Sequence, residues 1–86
     1  MYKVELSVNA QDFYRKANQP LARKLARCFE QLEKEPRRHS NIKPLQGNLA
    51  GAYRYRVGDY RVIYRINDVV PIVRVLKIAH RGAAYD

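Results

Sequence analysis

An 86-residue chain carrying a net charge of +9 has room for one small domain, and such a domain buries only about 60–65% of the surface its unfolded chain exposes. Its single cysteine excludes an internal disulfide and fits a reducing cytoplasm; no apolar run approaches the roughly 18 residues of a membrane span, and no signal peptide is expected. The charge points to nucleic acid, an acidic protein or an anionic surface, and it is uneven: residues 1–36 hold seven Lys or Arg against five Asp or Glu, residues 37–86 ten against three.

In chain order, residues 2–7 alternate, with Tyr2, Val4 and Leu6 pointing one way, which predicts a half-buried strand. Asn9, with Asp12 three residues on, offers a side-chain oxygen to free backbone N–H groups and predicts a short helix over 10–17 with Phe13 inward. The Asn18-Gln19-Pro20 stretch breaks it, and Pro20 suits the first residue of a second helix. There Leu21, Leu25, Cys28 and Leu32 recur at helical spacing, while Arg23, Lys24 and Arg27 lie toward the other side and Pro36 ends the run. Cys28 sits on the apolar stripe and reads as a small core residue, not a nucleophile. Residues 37–52 read as a connecting loop in which His39 is solvated.

The stretch YRYRVGDYRVIYRI at 53–66 alternates on both sides of Gly58-Asp59, the pattern of a two-residue hairpin with Gly first. That register sets Val57 opposite Tyr60, Arg56 opposite Arg61, Tyr55 opposite Val62 and Tyr53 opposite Tyr64. Tyr53, Tyr55, Val57, Tyr60, Val62, Tyr64 and Ile66 then form a core face. Arg54, Arg56, Arg61 and Arg65, with Ile63 among them, form a cationic platform. Like charges directly opposite cost about 0.2–1 kcal/mol each, and an anion would relieve them; the planar guanidinium fork suits phosphate. The bland alternative is a solvated outer face whose arginines guard against aggregation. A last strand over 69–78, apolar on both faces around Val75 and Leu76, suits an interior position covered on both sides. The tail, 79–86, has no further helix. The order β-α-α-β-β-β predicts an α+β domain, a helical hairpin on one face of a mainly antiparallel four-stranded sheet.

There is no metal-ligand spacing, glycine-rich phosphate loop or nucleophile elbow. The loop KPLQG at 43–47, the hairpin YRYRVGDYRVIY at 53–64 and HRGAAY at 80–85 resemble instead the RelE/ParE superfamily of bacterial toxins, across essentially the whole chain. The resemblance implies one RelE-like domain over 1–86. RelE-type members are ribosome-dependent endoribonucleases that cut messenger RNA in the decoding site, and ParE-type members use the same scaffold to inhibit DNA gyrase. It further implies a cytoplasmic toxin with no metal, cofactor or membrane, neutralised by a cognate RelB-like antitoxin, with ribosome and messenger RNA as partners and operator DNA as a ligand of the antitoxin complex.

By that resemblance the catalytic positions fall on Arg54, Arg56, Arg61, Arg81 and Tyr85, the first two being arginine where the best-known RelE has lysine. Attack of the 2′-hydroxyl on the adjacent phosphate builds negative charge in the transition state, which clustered guanidiniums stabilise more than the ground state. Arg56 and Arg61 would hold the scissile phosphate, Arg54 would extend the grip, and Arg81 would face the leaving oxygen. Proton transfer is open among Tyr85, His80 and Lys77, since arginine is a poor base. Tyr85 could equally stack on an extruded base, and His80 could orient the chain end. Arg65, Lys77 and His80 are candidate RNA contacts. Alternatives are a ParE-like gyrase inhibitor without chemistry and a nucleic-acid-binding module held by charge alone.

Overall fold

Alternating residues at the start of the chain become a strand, β1 (Lys3–Leu6), and it stops where Ser7 turns the backbone into helix α1 (Val8–Lys16). These elements come from a computed structural model that describes residues 1–85. Asp86, the last residue of the expected helix-free tail, lies outside the described residues. The cap of α1 is Ser7 and not Asn9: the Ala10 N–H donates to Ser7 Oγ at 3.1 Å. Ser7 wins because its hydroxyl also donates to the Leu76 carbonyl at 2.7 Å, so one side chain closes the helix and ties it to the sheet. Helix α2 (Gln19–Lys34) is capped by Asn18, which accepts from the Leu21 N–H at 3.0 Å. Pro20 sits within the first turn, one place later than expected, where its missing N–H costs nothing.

The expected loop after α2 contains a short strand, β2 (Ile42–Pro44), and a 3-10 turn (Gly47–Leu49) before the hairpin β3 (Ala52–Val57) and β4 (Tyr60–Asn67). Strand β5 (Ile72–His80) starts later and runs further than the expected 69–78. The sheet order is β1-β5-β4-β3-β2, with β1 parallel to β5 and the other pairs antiparallel. The α+β architecture stands, with β2 as a fifth, three-residue strand. Spacing alone conceals such a strand, since Ile42 is its one buried residue.

The hairpin register is the expected one, from Tyr53 opposite Tyr64 to Val57 opposite Tyr60. Gly58 has φ 57, the only positive φ in the two-residue turn, as a Gly-first turn requires. Both helices pack on the tyrosine face, where Leu25, Cys28, Leu32, Tyr55, Val62, Tyr64, Val73, Val75 and Ile78 form one buried cluster. Tyr64 is fully buried and its hydroxyl donates to the Pro36 carbonyl at 2.7 Å. Burial pushes the Cys28 thiol pKa up, which disfavours the thiolate a nucleophile needs.

Strand β5 is not covered on both faces by regular elements. Ile63 pairs with Lys77 but Tyr64 pairs with Val75, so Leu76 is left over as a bulge. The bulge shifts the alternation by one, placing Val73, Val75 and Ile78 all on the core side.

Candidate nucleic-acid interface

Residues directly opposite in neighbouring strands share a face, so the ladder sorts the outer face into three cross-sheet rows. Nearest the β3–β4 turn lie Arg56, Arg61 and Ala79; next come Lys43, Arg54, Ile63 and Lys77; furthest are Ala52, Arg65, Arg74 and Glu5. Arg81, two positions beyond Ala79 and just past the end of β5, lies beside the turn next to the first row, its backbone N–H donating to the Asp59 carbonyl at 2.7 Å. Arg56, Arg61 and Arg81 thus converge at one end of the hairpin.

The ion pairs formed among the described residues join Arg15 to Asp12, Arg37 to Asp68 and Arg74 to Glu5. None involves Arg54, Arg56, Arg61, Arg65 or Arg81. The side chains of Arg54, Arg61 and Arg65 bond to carbonyls. Arg61 Nη1 donates to Gly58 O at 3.0 Å and Tyr60 O at 2.9 Å, and Arg54 Nη1 to Asn41 O at 2.7 Å. These bonds orient the guanidiniums without neutralising them, so the face keeps its charge for a ligand.

The tail crosses this face. Lys77 Nζ donates to the Ala83 carbonyl at 2.9 Å, and Ala84 is 3% exposed. Ile63 and Ala52 are buried too but lie outside the main core cluster, so the tail and the segment before β3 seal a small second apolar layer on the outer face. Tyr85, 48% exposed, reaches a shallow groove of about 330 Å³ that it lines with Leu45, Gln46, Asn48 and Leu49. A half-exposed ring in such a groove can take a base on its free face.

His80 stands apart from the arginines. It pairs with Tyr60 across the sheet, their rings edge to face at 5.7 Å, and Tyr60 in turn contacts Phe13 of α1. The His80 Nδ1 accepts from the Gly82 N–H at 3.3 Å and its carbonyl from the Ala83 N–H at 2.8 Å. It orients the chain end on the helix side of the sheet. His39 is not merely solvated either, since it stacks on Tyr55 at 5.2 Å and accepts from the Asn41 N–H at 3.1 Å.

Lys43 joins the site without a signal in the sequence, and Lys24 and Arg27, expected on the solvated side of α2, stand at its edge. Lys43 lies directly beside Arg54, a neighbour visible only once β2 is known to be a strand. Lys24 and Arg27 of α2 line, with Arg56, Asn41 and Tyr55, a cleft of about 240 Å³. Among the described residues no group of three or more His, Cys, Asp or Glu side chains gathers as a metal site would, and no helix is long and apolar enough to cross a membrane.

The family model for the ParE toxin of type II toxin-antitoxin systems, parDE, matches residues 4–85. Toxin RelG of Mycobacterium tuberculosis is 35% identical over 85 residues, covering 98% of this chain and 95% of that protein. Among solved structures, the toxin-antitoxin complex RelBE2 of Mycobacterium tuberculosis matches with TM-score 0.79 and 31% identity, over 93% of this chain and 98% of the other. The archaeal RelE-RelB complex of Pyrococcus horikoshii matches with TM-score 0.82 and 30% identity, over 96% and 98%.

Proposed function

The chain belongs to the RelE/ParE superfamily, toxins of toxin-antitoxin systems, and we propose that it is a RelE-like, ribosome-dependent endoribonuclease working in the cytoplasm without a metal ion. The observation that carries this reading is the convergence of Arg56, Arg61 and Arg81 at the turn end of the hairpin with no carboxylate paired to any of them among the described residues. Two arginines set directly opposite bear on the two non-bridging oxygens of one phosphate.

In the proposed reaction the 2′-hydroxyl oxygen attacks the adjacent phosphorus and the bond to the 5′-oxygen breaks, leaving a 2′,3′-cyclic phosphate and a 5′-hydroxyl. The proton lost from the 2′-oxygen goes to a base, and the 5′-oxygen gains one. Arg56 and Arg61 stabilise the dianionic phosphorane, and Arg81 faces the leaving oxygen. Arg54 and Lys43, one row along, hold the neighbouring phosphate. Tyr85 stacks on a base of the message, Lys77 pins the tail that carries Tyr85, and His80 shapes the tail from the other side. With no carboxylate paired to these arginines among the described residues, the reaction gains most from a ribosome that aligns 2′-oxygen and phosphate, because orientation is worth about 7–11 kcal/mol at its best.

A RelB-like antitoxin is the proposed partner, supported by the complexes of the RelBE2 and RelE-RelB relatives. An acidic segment laid over the unpaired arginines would neutralise the charge that a message needs. The ParE-like gyrase inhibitor is not favoured: although the matching family model is named for ParE, relatives at 30% identity or more over at least 93% of this chain carry the names RelG, RelBE2 and RelE.

The test is primer extension on a defined message with purified protein, with and without programmed ribosomes. Cuts in the ribosomal A site that vanish without ribosomes and for Arg61→Ala are expected. An uncut message under both conditions would refute the nuclease.

A further inference from the structure

The third row of the outer face takes no part in that chemistry, yet it repeats the pattern of the first. Arg65 on β4 lies directly opposite Arg74 on β5, again a like-charge pair that destabilises the bare sheet. Glu5 approaches Arg74 at 3.7 Å, an ion pair without a close charge-assisted hydrogen bond, so it offsets part of that charge and leaves Arg65 as the cation with no carboxylate partner among the described residues. Arg65 Nη1 rests on the Ala50 carbonyl at 3.3 Å. Close packing is built in on this side too: Gly51 has φ 91, and a Cβ there would lie 3.0 Å from Arg65 Nη1. The two arginines, with Glu5, Ile66, Asn67 and Ile72, line a depression of about 260 Å³. It offers a paired arginine rim with the Glu5 carboxylate at the Arg74 side, an amide and an aliphatic floor.

We infer that the Arg65–Arg74 depression is a second phosphate subsite, which holds the RNA backbone at a phosphate other than the one being cut. The inference rests on the nuclease reading and names how far its substrate site extends. Arg61 and Arg65 are four residues apart on one strand, about 13 Å at about 3.3 Å per residue. Successive rows are therefore about 6.6 Å apart, a step comparable with that between neighbouring phosphates of an extended strand. The tail that pins Ala83 to Lys77 lies between the first and third rows, with Tyr85 upon it. A message gripped at Arg56, Arg61 and Arg81 can lay a base on Tyr85, pass over this ridge and bring a phosphate two or three steps away to Arg65 and Arg74. A nucleic-acid backbone fits better than an acidic protein, because the depression shares face and strands with the cleavage row and again sets two arginines directly opposite, two backbone steps away.

The test uses ribosomes programmed with messages that carry one uncharged methylphosphonate at each position within four nucleotides of the cut. The wild-type protein is expected to cut about tenfold or more slowly when one phosphate two or three steps from the scissile one is replaced, the loss typical of a hydrogen bond to a charged group. The Arg65→Gln/Arg74→Gln protein is expected to cut the ordinary message more slowly by that factor and to be indifferent to the same replacement. Should the double variant lose its thermal transition, Arg74→Gln alone, at an exposed position, is read in the same way. A wild type that cuts but ignores every distant replacement, or a folded variant that keeps the wild-type rate or pattern, overturns the inference and leaves the nuclease standing. A variant that cuts normally but binds antitoxin weakly overturns it as well, assigning the depression to the protein partner. A wild type that cuts no ribosome-bound message refutes the nuclease and this inference together.

Discussion

Arg61 carries more of the proposed chemistry than any other side chain, and its surroundings say how it should respond to change. Its Nη1 is held by the Gly58 and Tyr60 carbonyls, so the fork is oriented before a phosphate arrives. Arg61→Ala should lower A-site cleavage by about 100- to 1000-fold, as the loss of one preorganised transition-state donor does, with little change in thermal stability. Arg61→Lys should recover only part of this, because an ammonium cannot span two oxygens; rates on programmed ribosomes check both, and full activity in either variant would remove Arg61 from the mechanism. Tyr85 offers a sharper discrimination. If its ring stacks on a base, Tyr85→Phe should cut at close to the wild-type rate and Tyr85→Ala at least several-fold slower, since such a stack is worth about 1–3 kcal/mol. Equal losses in both variants would make the hydroxyl the acting group. The arginines of the hairpin could be read from alternation because strand period alone assigns their face. Lys43, Lys24 and Arg27 could not, because their place beside Arg54 and Arg56 depends on which elements pack together. For His80 the sequence left two roles open; adjacent in sequence to Arg81, it sits by strand alternation on the opposite face, beside Tyr60, which favours the one that orients the chain end.

Helix and strand boundaries depend on single satisfied groups, and Ser7 shows this most clearly. It accepts from the α1 N-terminus and donates to the bulged Leu76 carbonyl, so one hydroxyl serves two elements distant in sequence. Ser7→Ala should cost about 1 kcal/mol for the cap and a further 1–3 kcal/mol if the Leu76 carbonyl is left unpaired. At about 4–8 °C per kcal/mol for a domain this small, the melting temperature should fall by roughly 8 °C or more. Asn9→Ala, at the residue whose spacing suggested a cap, should shift it hardly at all. Comparable losses in the two variants would return the cap to Asn9. The sequence contained a capping residue in either case, but choosing between Ser7 and Asn9 required knowing that Leu76 lies alongside. The same holds for β5. Its run of apolar residues reads as burial on both faces, whereas a bulge re-phases it so that consecutive hydrophobic positions serve one core. Strand β2 was hidden because its three residues, Ile-Lys-Pro, pair with β3 without an alternation long enough to recognise. The hairpin was legible in full because its turn and its period agree.

Across the whole molecule, the two faces of the sheet set opposite demands on pH. The outer face gathers guanidiniums for an anion, while the inner face buries groups that must stay neutral. Burial raises the Cys28 thiol and the Tyr64 hydroxyl pKa, so above the values these groups have in an unfolded chain, about 8.5 and 10, the unfolded state releases protons that the folded state retains. Their contribution is complete below those values and is lost as pH rises. On the acid side, Arg37 holds the Asp68 carboxyl below its ordinary value through paired hydrogen bonds of 3.1 and 2.9 Å, with Tyr2 donating at 2.6 Å. That contribution is present above about pH 3.9 and disappears as pH falls through the lowered value. It ties the start of β1 to the loops after α2 and β4, but it is exposed and should weaken with salt. The melting temperature should therefore be flat through neutrality and decline from about pH 8.5 upward. Cys28→Ala should melt lower at pH 7, since it opens a small void in the core, yet stay level until tyrosine begins to ionise near pH 10. Parallel curves for the two proteins would show that the thiol does not set the alkaline limit. The distinction matters for the chemistry, because attack by a 2′-hydroxyl is helped by base and a cleavage rate should climb with pH. If the wild-type rate turns over above about pH 8.5 while Cys28→Ala continues to rise, the turnover belongs to unfolding of the core and not to a titrating group among the arginines.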